Sequence, residues 1–277
     1  MTQPVLNAYE IRNADYAVVH SESEVDFNEF IEALAIQDGE CVVDVGGGYG
    51  SIFMRLLQRH PKIKFDYDLL DGGLFQLKKG EQKITALQKL YSNQSQVRYL
   101  HQDALQLNLP ANYYDLVICK MFLHEIPEIY KKELIKDLFS IVKPGGRVVI
   151  WNPDLEEHDY TFYTNVIKKK DQLAGYESLV QNRHFLLNRD FYRLMQDAGF
   201  IEAKKLLTFD YHLHTVNRLN EEFGGDELKL QEWNHYIMSI AEELDVPTRE
   251  LLKIQSLDND IYINFKRSVF SVAKPQV

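Results

Sequence analysis

The sequence predicts an α/β fold in which a largely parallel β-sheet carries helices on both faces. Between residues 40 and 152, short apolar runs alternate with segments whose apolar residues recur at helical spacing. Such alternation is typical of parallel sheets. The first apolar run ends in a glycine-rich corner, CVVDVGGGYGS, and acidic residues follow two later runs. A parallel sheet gathers these turns at one edge, so they also predict a ligand site.

Composition limits the class of protein. A chain of 277 residues with 45% hydrophobic content can bury the core of one large domain. The net charge of -10 disfavours a nucleic-acid partner. Cys41 and Cys119 lie in apolar runs and are expected to be free buried thiols. The sequence shows neither a signal-peptide pattern nor an apolar run near the ~18 residues that span a bilayer. We therefore expect a cytoplasmic protein without a membrane partner or a metal site.

The N-terminal half predicts these elements in order. Residues 1–38 form a helical cap, because apolar side chains recur at helical spacing: Val25, Phe27, Phe30, Ile31 and Leu34. Short apolar runs predict strands at residues 41–45, 63–68, 97–101, 116–119 and 147–151. Helices are predicted at 51–59, between the second and third strands up to Tyr91, and at 129–142, before the breaker Lys143-Pro144-Gly145-Gly146.

The pattern loosens beyond Trp151. Residues 160–179 and 189–198 predict helices, and Gly199 ends the second. Alternating residues predict strands at 204–213 and 261–272. Between these strands, a predicted helical insertion at about 215–258 is broken at Pro247.

The glycine-rich corner would join a buried strand to a helix. Glycine lets the backbone turn sharply and approach a ligand, and the helix N-terminus offers free N–H groups. The dinucleotide pattern G-x-G-x-x-G fits badly, because its last position falls on Ser51 or Phe53. A nicotinamide oxidoreductase is therefore disfavoured. The pattern present is acid-x-G-x-G-x-G: Asp44, Gly46, Gly48 and Gly50.

An acidic residue is expected at the end of the second strand. Asp68 lies 18 residues beyond the last glycine of the corner, where a carboxylate can accept hydrogen bonds from both hydroxyl groups of a ribose. The segment FDYDLLDGG also offers Asp66 and Asp71. Asp68 is favoured because Leu74 and Leu77 then fall where the next helix packs, and Asp71 is interpreted as a helix cap.

Further segments follow in a characteristic order. Asp103, in HQDAL, follows the third strand, where it can accept a hydrogen bond from an adenine amino group. CKMFLHEIPE follows the fourth strand, and VKPGGRVVI leads into the fifth. Together these segments resemble the class I S-adenosylmethionine-dependent methyltransferases over about residues 40–152, and FYRLMQDAGFIEAKKL extends the resemblance to about residue 207.

The resemblance implies a Rossmann-like sheet of seven strands, mostly parallel with an antiparallel last strand. The methyltransferase domain would span residues 39–277 and include the helical insertion. The cofactor would be S-adenosyl-L-methionine. By position, Asp44 and the three glycines would hold its methionine part, and Asp68 its ribose. Its adenine would lie against Asp103 and Ala104. Lys120 would lie beside the methionine end, where a small or polar residue is more usual.

One segment suggests a reaction. MFLHEIPEIYKKEL is similar to the LHDW-x-D-E segment of small-molecule O-methyltransferases, in which the histidine is the general base. His124 matches that position, Glu125 replaces the aspartate and would orient the imidazole, and Ile126 replaces the tryptophan. The alternative is that His124 merely lines the cleft.

Residues outside the motifs indicate a small-molecule acceptor. Their many aromatic side chains would build an apolar pocket, which the insertion would cover unless it forms a homodimer contact. Tyr9, Tyr16 and His20 could close over the cofactor, and His212 and His214 are interpreted as an ordinary strand face. We expect methylation of a small, partly apolar metabolite on oxygen. Nitrogen or carbon methylation, or a non-catalytic cofactor-binding protein of the same fold, are the alternatives.

Overall fold

The computed structural model describes residues 23–276. Its first helix, α1 (Glu24–Ala33), begins after Ser23, whose hydroxyl oxygen accepts a hydrogen bond from the Asp26 N–H at 3.0 Å. The rest of the predicted N-terminal cap, including Tyr9, Tyr16 and His20, lies outside the described residues.

One mixed sheet forms the centre of the molecule. Its strands are β1 (Cys41–Val45), β2 (Asp66–Asp71), β3 (Gln96–His101), β4 (Tyr114–Lys120), β5 (Val142–Pro153), β6 (Ile201–His214), β7 (Gln255–Leu257) and β8 (Asp260–Ala273). Seven strands pair in the order β3-β2-β1-β4-β5-β8-β6, and the short β7 pairs with β8. The neighbours from β3 to β5 are parallel, whereas β8 runs antiparallel to both β5 and β6. This confirms the predicted Rossmann-like sheet with an antiparallel last strand.

Helices cover both faces of the sheet. After α1 they are α2 (Ser51–Arg59), α3 (Leu74–Tyr91), α4 (Glu128–Ile141), α5 (Glu157–Leu173), α6 (Glu177–Asn182), α7 (Asn188–Asp197), α8 (Glu227–Ala241) and α9 (Val246–Leu252). Apolar residues of α1, α2 and α3 form one buried cluster against the sheet, and those of α4 and α7 form another. None of the helices between residues 23 and 276 combines the length and apolar character needed to cross a bilayer.

A third apolar cluster lies where β6 and β8 extend beyond the parallel strands. Side chains of α5, α8 and α9 pack there against both strands. The indole Nε1 of Trp233, on α8, donates to the carbonyl oxygen of Val166, on α5, at 2.9 Å. The elements between β6 and β8 are therefore packed onto the fold.

Several predicted boundaries were wrong. The second strand runs over Asp66–Asp71, three residues later than predicted, because the buried run is DYDLLD and not IKFDYD. The predicted helix at 160–179 is two helices, separated where Gly175 has a φ of 79°. The breaker at 143–146 follows the end of α4 as predicted, but β5 already begins at Val142 and not at Arg147, and its pairing with β4 is irregular there. The predicted free thiols are confirmed, and Cys119 is buried while Cys41 is half-buried.

Candidate active site

A cleft of about 890 Å³ opens at the carboxyl ends of β1, β2 and β4. It extends past the turn after β4 to residues of α5, the segment after α6, and the end of β6. This edge collects the turns that follow parallel strands, which is where ligands bind in open α/β sheets. Most of the predicted site residues line this cleft: Asp44, Gly46, Gly48, Asp103, Ala104, Lys120, His124 and Glu125.

The glycine corner turns the chain from β1 into α2. The N–H groups of Gly46 and Gly47 donate to the carbonyl oxygen of Leu70, at 2.9 and 3.1 Å, which ties the corner to β2. Gly46 has a φ of 74°, and a Cβ there would lie 2.3 Å from the Phe122 ring. Gly48 has a φ of 58°, and a Cβ would meet no atom within 4 Å. Gly48 thus presents bare backbone to the cleft.

Two other glycines of the corner serve packing. Gly50 precedes α2 and does not line the cleft, and a Cβ there would lie 2.7 Å from the Ile84 side chain. Gly47 was not singled out from the sequence, yet a Cβ there would lie 2.5 Å from Asp44 Oδ2. The corner can therefore approach the buried acid only without a side chain at residue 47.

Asp44 is completely buried beneath the corner. Its Oδ2 accepts a hydrogen bond from the Tyr67 hydroxyl at 2.7 Å, whereas Oδ1 has no hydrogen-bond partner among the described residues. Burial raises the pKa of Asp44 to about 7, although the Tyr67 hydroxyl and the charge of Lys120 act in the opposite direction. An unsatisfied buried carboxylate oxygen is the place where a cationic or N–H-bearing ligand group gains most.

The structure overturns the position predicted for Asp68. This residue lies in the middle of β2, is 2% exposed, and does not line the cleft. Its carboxylate oxygens accept hydrogen bonds from Arg98, at 2.6 and 2.5 Å, and from the Tyr114 hydroxyl at 2.5 Å. Asp68 thus links β2 to β3 and β4 from within the sheet, and the true end of β2 lies three residues further on.

Asp71 ends β2 and lines the cleft. Its Oδ2 accepts a hydrogen bond from the Gly48 N–H at 2.8 Å, and Oδ1 accepts one from the Gly73 N–H at 2.7 Å. Gly73 is itself the residue that precedes α3. Asp71 therefore joins the glycine corner to the turn after β2 and does more than cap a helix.

Asp103 and Ala104 follow β3, on the far side of β2 from the glycine corner. Asp103 precedes a short 3-10 helix at Ala104–Gln106, and its Oδ1 accepts a hydrogen bond from the Leu105 N–H at 2.9 Å. Ala104 is buried. The second Asp103 oxygen remains for a ligand at this end of the cleft.

Lys120 ends β4 at the middle of the cleft. Its ammonium nitrogen lies 5.2 Å from the ring centroids of both Phe27 and Trp151. Phe27 belongs to α1, so this helix also helps to wall the cleft. Aromatic rings on two sides offer a cation–π environment that accommodates the charge of Lys120.

His124 lies in a 3-10 helix, Leu123–Glu125, and is 6% exposed. Its Nε2 lies 3.1 Å from Glu125 Oε1, and its ring stacks on Phe185 with centroids 5.3 Å apart. Nδ1 is buried and has no hydrogen-bond partner within the described part of the chain. Burial lowers the pKa of His124, against the effect of the Glu125 carboxylate, so the imidazole is neutral near pH 7.

Two further charged groups hold this turn. The Lys131 ammonium, on α4, donates to the carbonyl oxygens of Leu123 and Ile126, the latter at 2.6 Å. Arg183 donates to Glu125 Oε1 at 2.8 Å. Glu125 is thus shared between Arg183 and His124, and the turn has a fixed position beside the cleft.

The sequence motifs did not predict the cationic residues at the other end of the cleft. Tyr163, Lys170, Arg183, Tyr211 and Arg218 line this end, and all are nearly fully buried. They come from segments far apart in sequence, and no motif connects them. His212 and His214 contact Tyr262 and Asp260 on β8, as expected of a strand face. Among the described residues, no cluster of His, Cys, Asp or Glu is arranged to hold a metal ion.

S-adenosylmethionine suits the glycine-corner end of the cleft. Asp44 offers an unsatisfied carboxylate oxygen, Gly48 offers bare backbone, and Asp71 and Asp103 offer carboxylates in line along the strand ends. A zwitterionic amino acid joined to a nucleoside needs this succession of charged, unhindered and acceptor groups.

Comparison with known proteins agrees with this assignment. Residues 20–201 match the model of a family described as "Methyltransferase domain". The ubiquinone/menaquinone biosynthesis C-methyltransferase UbiE of Roseobacter denitrificans is 26% identical over 187 residues, which cover 62% of this chain and 70% of that protein.

Solved structures share the fold. A candidate methyltransferase of Bacillus halodurans superposes with a TM-score of 0.73 at 20% identity, covering 91% of this chain and 99% of that one. The geranyl diphosphate C-methyltransferase of Streptomyces coelicolor, solved with Mg²⁺, geranyl diphosphate and S-adenosyl-L-homocysteine, gives 0.55 at 14% identity, covering 91% and 79%. With the family match over more than half of its length, this chain belongs to the methyltransferase domain family and is a class I S-adenosylmethionine-dependent methyltransferase.

Proposed function

We propose that this enzyme methylates a small, partly apolar molecule held in the same cleft as the cofactor. The observation that carries the proposal is the continuity of the cleft, which runs from the glycine corner to a second end lined by Tyr163, Phe185 and Tyr211. A volume of about 890 Å³ lies in the range of small-molecule sites and accommodates a cofactor together with a modest acceptor.

The cofactor end is assigned residue by residue. Asp44 and the backbone around Gly48 would hold the amino-acid part, and the Lys120 ammonium would contact its carboxylate. Asp71, in place of Asp68, would accept the ribose hydroxyls, since it is the acidic residue at the end of β2. Asp103 and Ala104 would contact the adenine.

When bound, S-adenosylmethionine supplies an electrophilic methyl group on its sulfonium. The chain itself has to orient the acceptor and exclude water. Phe27 and Met121 line the middle of the cleft beside Lys120 and provide the apolar contacts for both tasks. No nucleic-acid partner is proposed, because the chain carries a net charge of -10.

An oxygen acceptor gives His124 a role as general base. If Nε2–H donates to Glu125, the neutral imidazole keeps its lone pair on Nδ1, which could take the hydroxyl proton. Nδ1 is shielded from solvent. The hydroxyl group of the acceptor would therefore have to approach an atom that water does not contact. The neutral state of the ring and its position on the cleft wall support this role.

A carbon acceptor is the second candidate. The relatives with detectable sequence similarity include C-methyltransferases named for ubiquinone and menaquinone biosynthesis. In that reaction the stacked rings of His124 and Phe185 would form one wall of the acceptor site. Glu125 would hold the turn in place through its hydrogen bond from Arg183.

Methyl transfer identifies the acceptor atom directly. The enzyme would be incubated with S-adenosylmethionine carrying a ¹³C-labelled methyl group and a panel of small phenols, acids, amines and enols. The ¹³C chemical shift of the product distinguishes oxygen, nitrogen and carbon attachment. Transfer to none of the small molecules, but to a protein or nucleic acid, would contradict the proposal.

A further inference from the structure

Three cationic side chains wall the cleft at the end away from the glycine corner. Lys170 lies on α5, Arg183 follows α6, and Arg218 ends a 3-10 helix that follows β6. The side chains of all three are at most 5% exposed. Buried charges are rare unless they are paired or bind a ligand. The partners of each cation therefore show which one still has N–H groups to offer a ligand.

Two of these cations are matched by carboxylates. The Lys170 ammonium lies 2.8 Å from Glu222 Oε2 and 2.9 Å from Asp171 Oδ1. The Arg183 guanidinium lies 2.9 Å from Asp171 Oδ2 and 2.8 Å from Glu125 Oε1. Three carboxylates are thus already engaged by Lys170 and Arg183.

Arg218 is matched less well. Its Nη2 donates to the Tyr211 hydroxyl at 2.5 Å, but its Nε lies 3.9 Å from Glu222, which the Lys170 ammonium already contacts. Neither Nε nor Nη1 has a hydrogen-bond acceptor among the described residues, and both atoms are shielded from solvent. The guanidinium carbon of Arg267 lies 4.7 Å from the Tyr211 ring centroid, and its Nη2 lies 4.0 Å from Asp26 Oδ2.

A buried guanidinium with unmet N–H groups costs free energy, unless a ligand supplies the missing acceptors. Carboxylate and phosphate oxygens are the acceptors that fit a guanidinium best. Since Arg218 lines the cleft, a ligand held there can bring an acidic group to its guanidinium.

We propose that this end of the cleft binds an acidic group of the methyl acceptor, a carboxylate or a phosphate, with Arg218 as the residue that contacts it. The inference rests on the proposed function, because it describes the substrate of the same cleft. Ile167 and Phe185 line the cleft as well, so the acceptor combines an apolar body with one acidic group.

Three probes of similar shape test the inference without turnover. Benzoate, phenyl phosphate and the neutral benzamide would be titrated by calorimetry into the full chain saturated with S-adenosylhomocysteine. We expect at least one acid to bind about tenfold or more tightly than benzamide, as charge-assisted hydrogen bonds require. The tighter of the two acids identifies the group as a carboxylate or a phosphate. Equal affinity for all three probes would overturn the inference.

Variants assign the effect to Arg218. Arg218→Gln should abolish the preference for acids, and Arg218→Lys should retain part of it. Arg147→Gln is the matched control, because Arg147 makes structural contacts with Leu34 and Glu40 outside the cleft. Unchanged affinity for S-adenosylhomocysteine shows that each variant is folded. A full acid preference in Arg218→Gln would contradict the assignment.

The two proposals fail separately. Acid binding without any methyl transfer would leave the subsite standing and contradict the proposed function. Methyl transfer to neutral molecules, with no preference for acids, would support the proposed function and contradict the acidic subsite.

Discussion

Replacing Asp71 by Asn tests where the ribose binds. The Asp71 carboxylate accepts N–H groups from Gly48 and Gly73 at 2.8 and 2.7 Å, which leaves further lone pairs for a ligand. In Asp71→Asn one oxygen becomes an NH₂ group, so one backbone N–H faces another donor and the ligand loses a charged acceptor. Each charge-assisted hydrogen bond contributes about 1.5–3 kcal/mol, and loss of one weakens binding about 10- to 150-fold.

Isothermal titration with S-adenosylhomocysteine measures this loss. Asp68→Asn is the matched control, because it changes the same chemical group on the same strand but outside the cleft. This variant should lower the melting temperature, since it disrupts contacts with Arg98 and Tyr114, and leave the cofactor Kd within about twofold. Normal affinity in Asp71→Asn together with a large loss in Asp68→Asn would refute the reasoning.

Three further predictions concern Gly48, Asp44 and His124. Gly48→Val should abolish cofactor binding, because a branched side chain would enter the cleft. The control is Gly39→Val, at a φ of 82° with no atom near its Cβ, which should only lower the stability of the fold. Equal cofactor affinity in the two variants would contradict this prediction. Asp44 binds a proton in the native state between its usual pKa of 3.8 and about 7, so the free energy of unfolding should fall as pH rises through that window, by on the order of 4 kcal/mol in total. Urea unfolding at several pH values should show this dependence flattened in Asp44→Asn. For an oxygen acceptor, His124→Ala should lower kcat about 10²- to 10⁴-fold and leave cofactor affinity unchanged. It should also remove an inflection in the pH–rate profile below pH 6.5, because burial lowers the pKa of His124. A near-normal kcat would show that His124 only lines the cleft.

The sequence predicted the elements whose signal is local. Strand β1 and helix α2 follow from a short apolar run, a glycine corner and helical spacing, and both were confirmed to the residue. The end of β2 was misplaced because the segment DYDLLD has an acidic residue at each end, so its pattern does not show which one ends the strand. Asp68 is buried because its carboxylate is paired with Arg98 and Tyr114, which are remote in sequence.

The cationic end of the cleft had no local signal. Lys170 lies in the predicted helix at 160–179 and Arg218 in the predicted insertion at about 215–258, and 48 positions separate them along the chain. They meet only because α5 and the long β6 and β8 strands pack into one cluster. Sequence reasoning therefore recovers a cofactor site that is built on consecutive strand ends, and misses a substrate site that depends on tertiary packing.

A crystal structure of the enzyme with S-adenosylhomocysteine tests the central assignment most directly. We expect the amino group near Asp44, the ribose hydroxyls on Asp71, and the adenine against Asp103 and Ala104, with the cleft beside Arg218 left to the acceptor. A cofactor whose ribose hydroxyls contact neither oxygen of Asp71, or whose amino-acid part lies at Arg218, would contradict it.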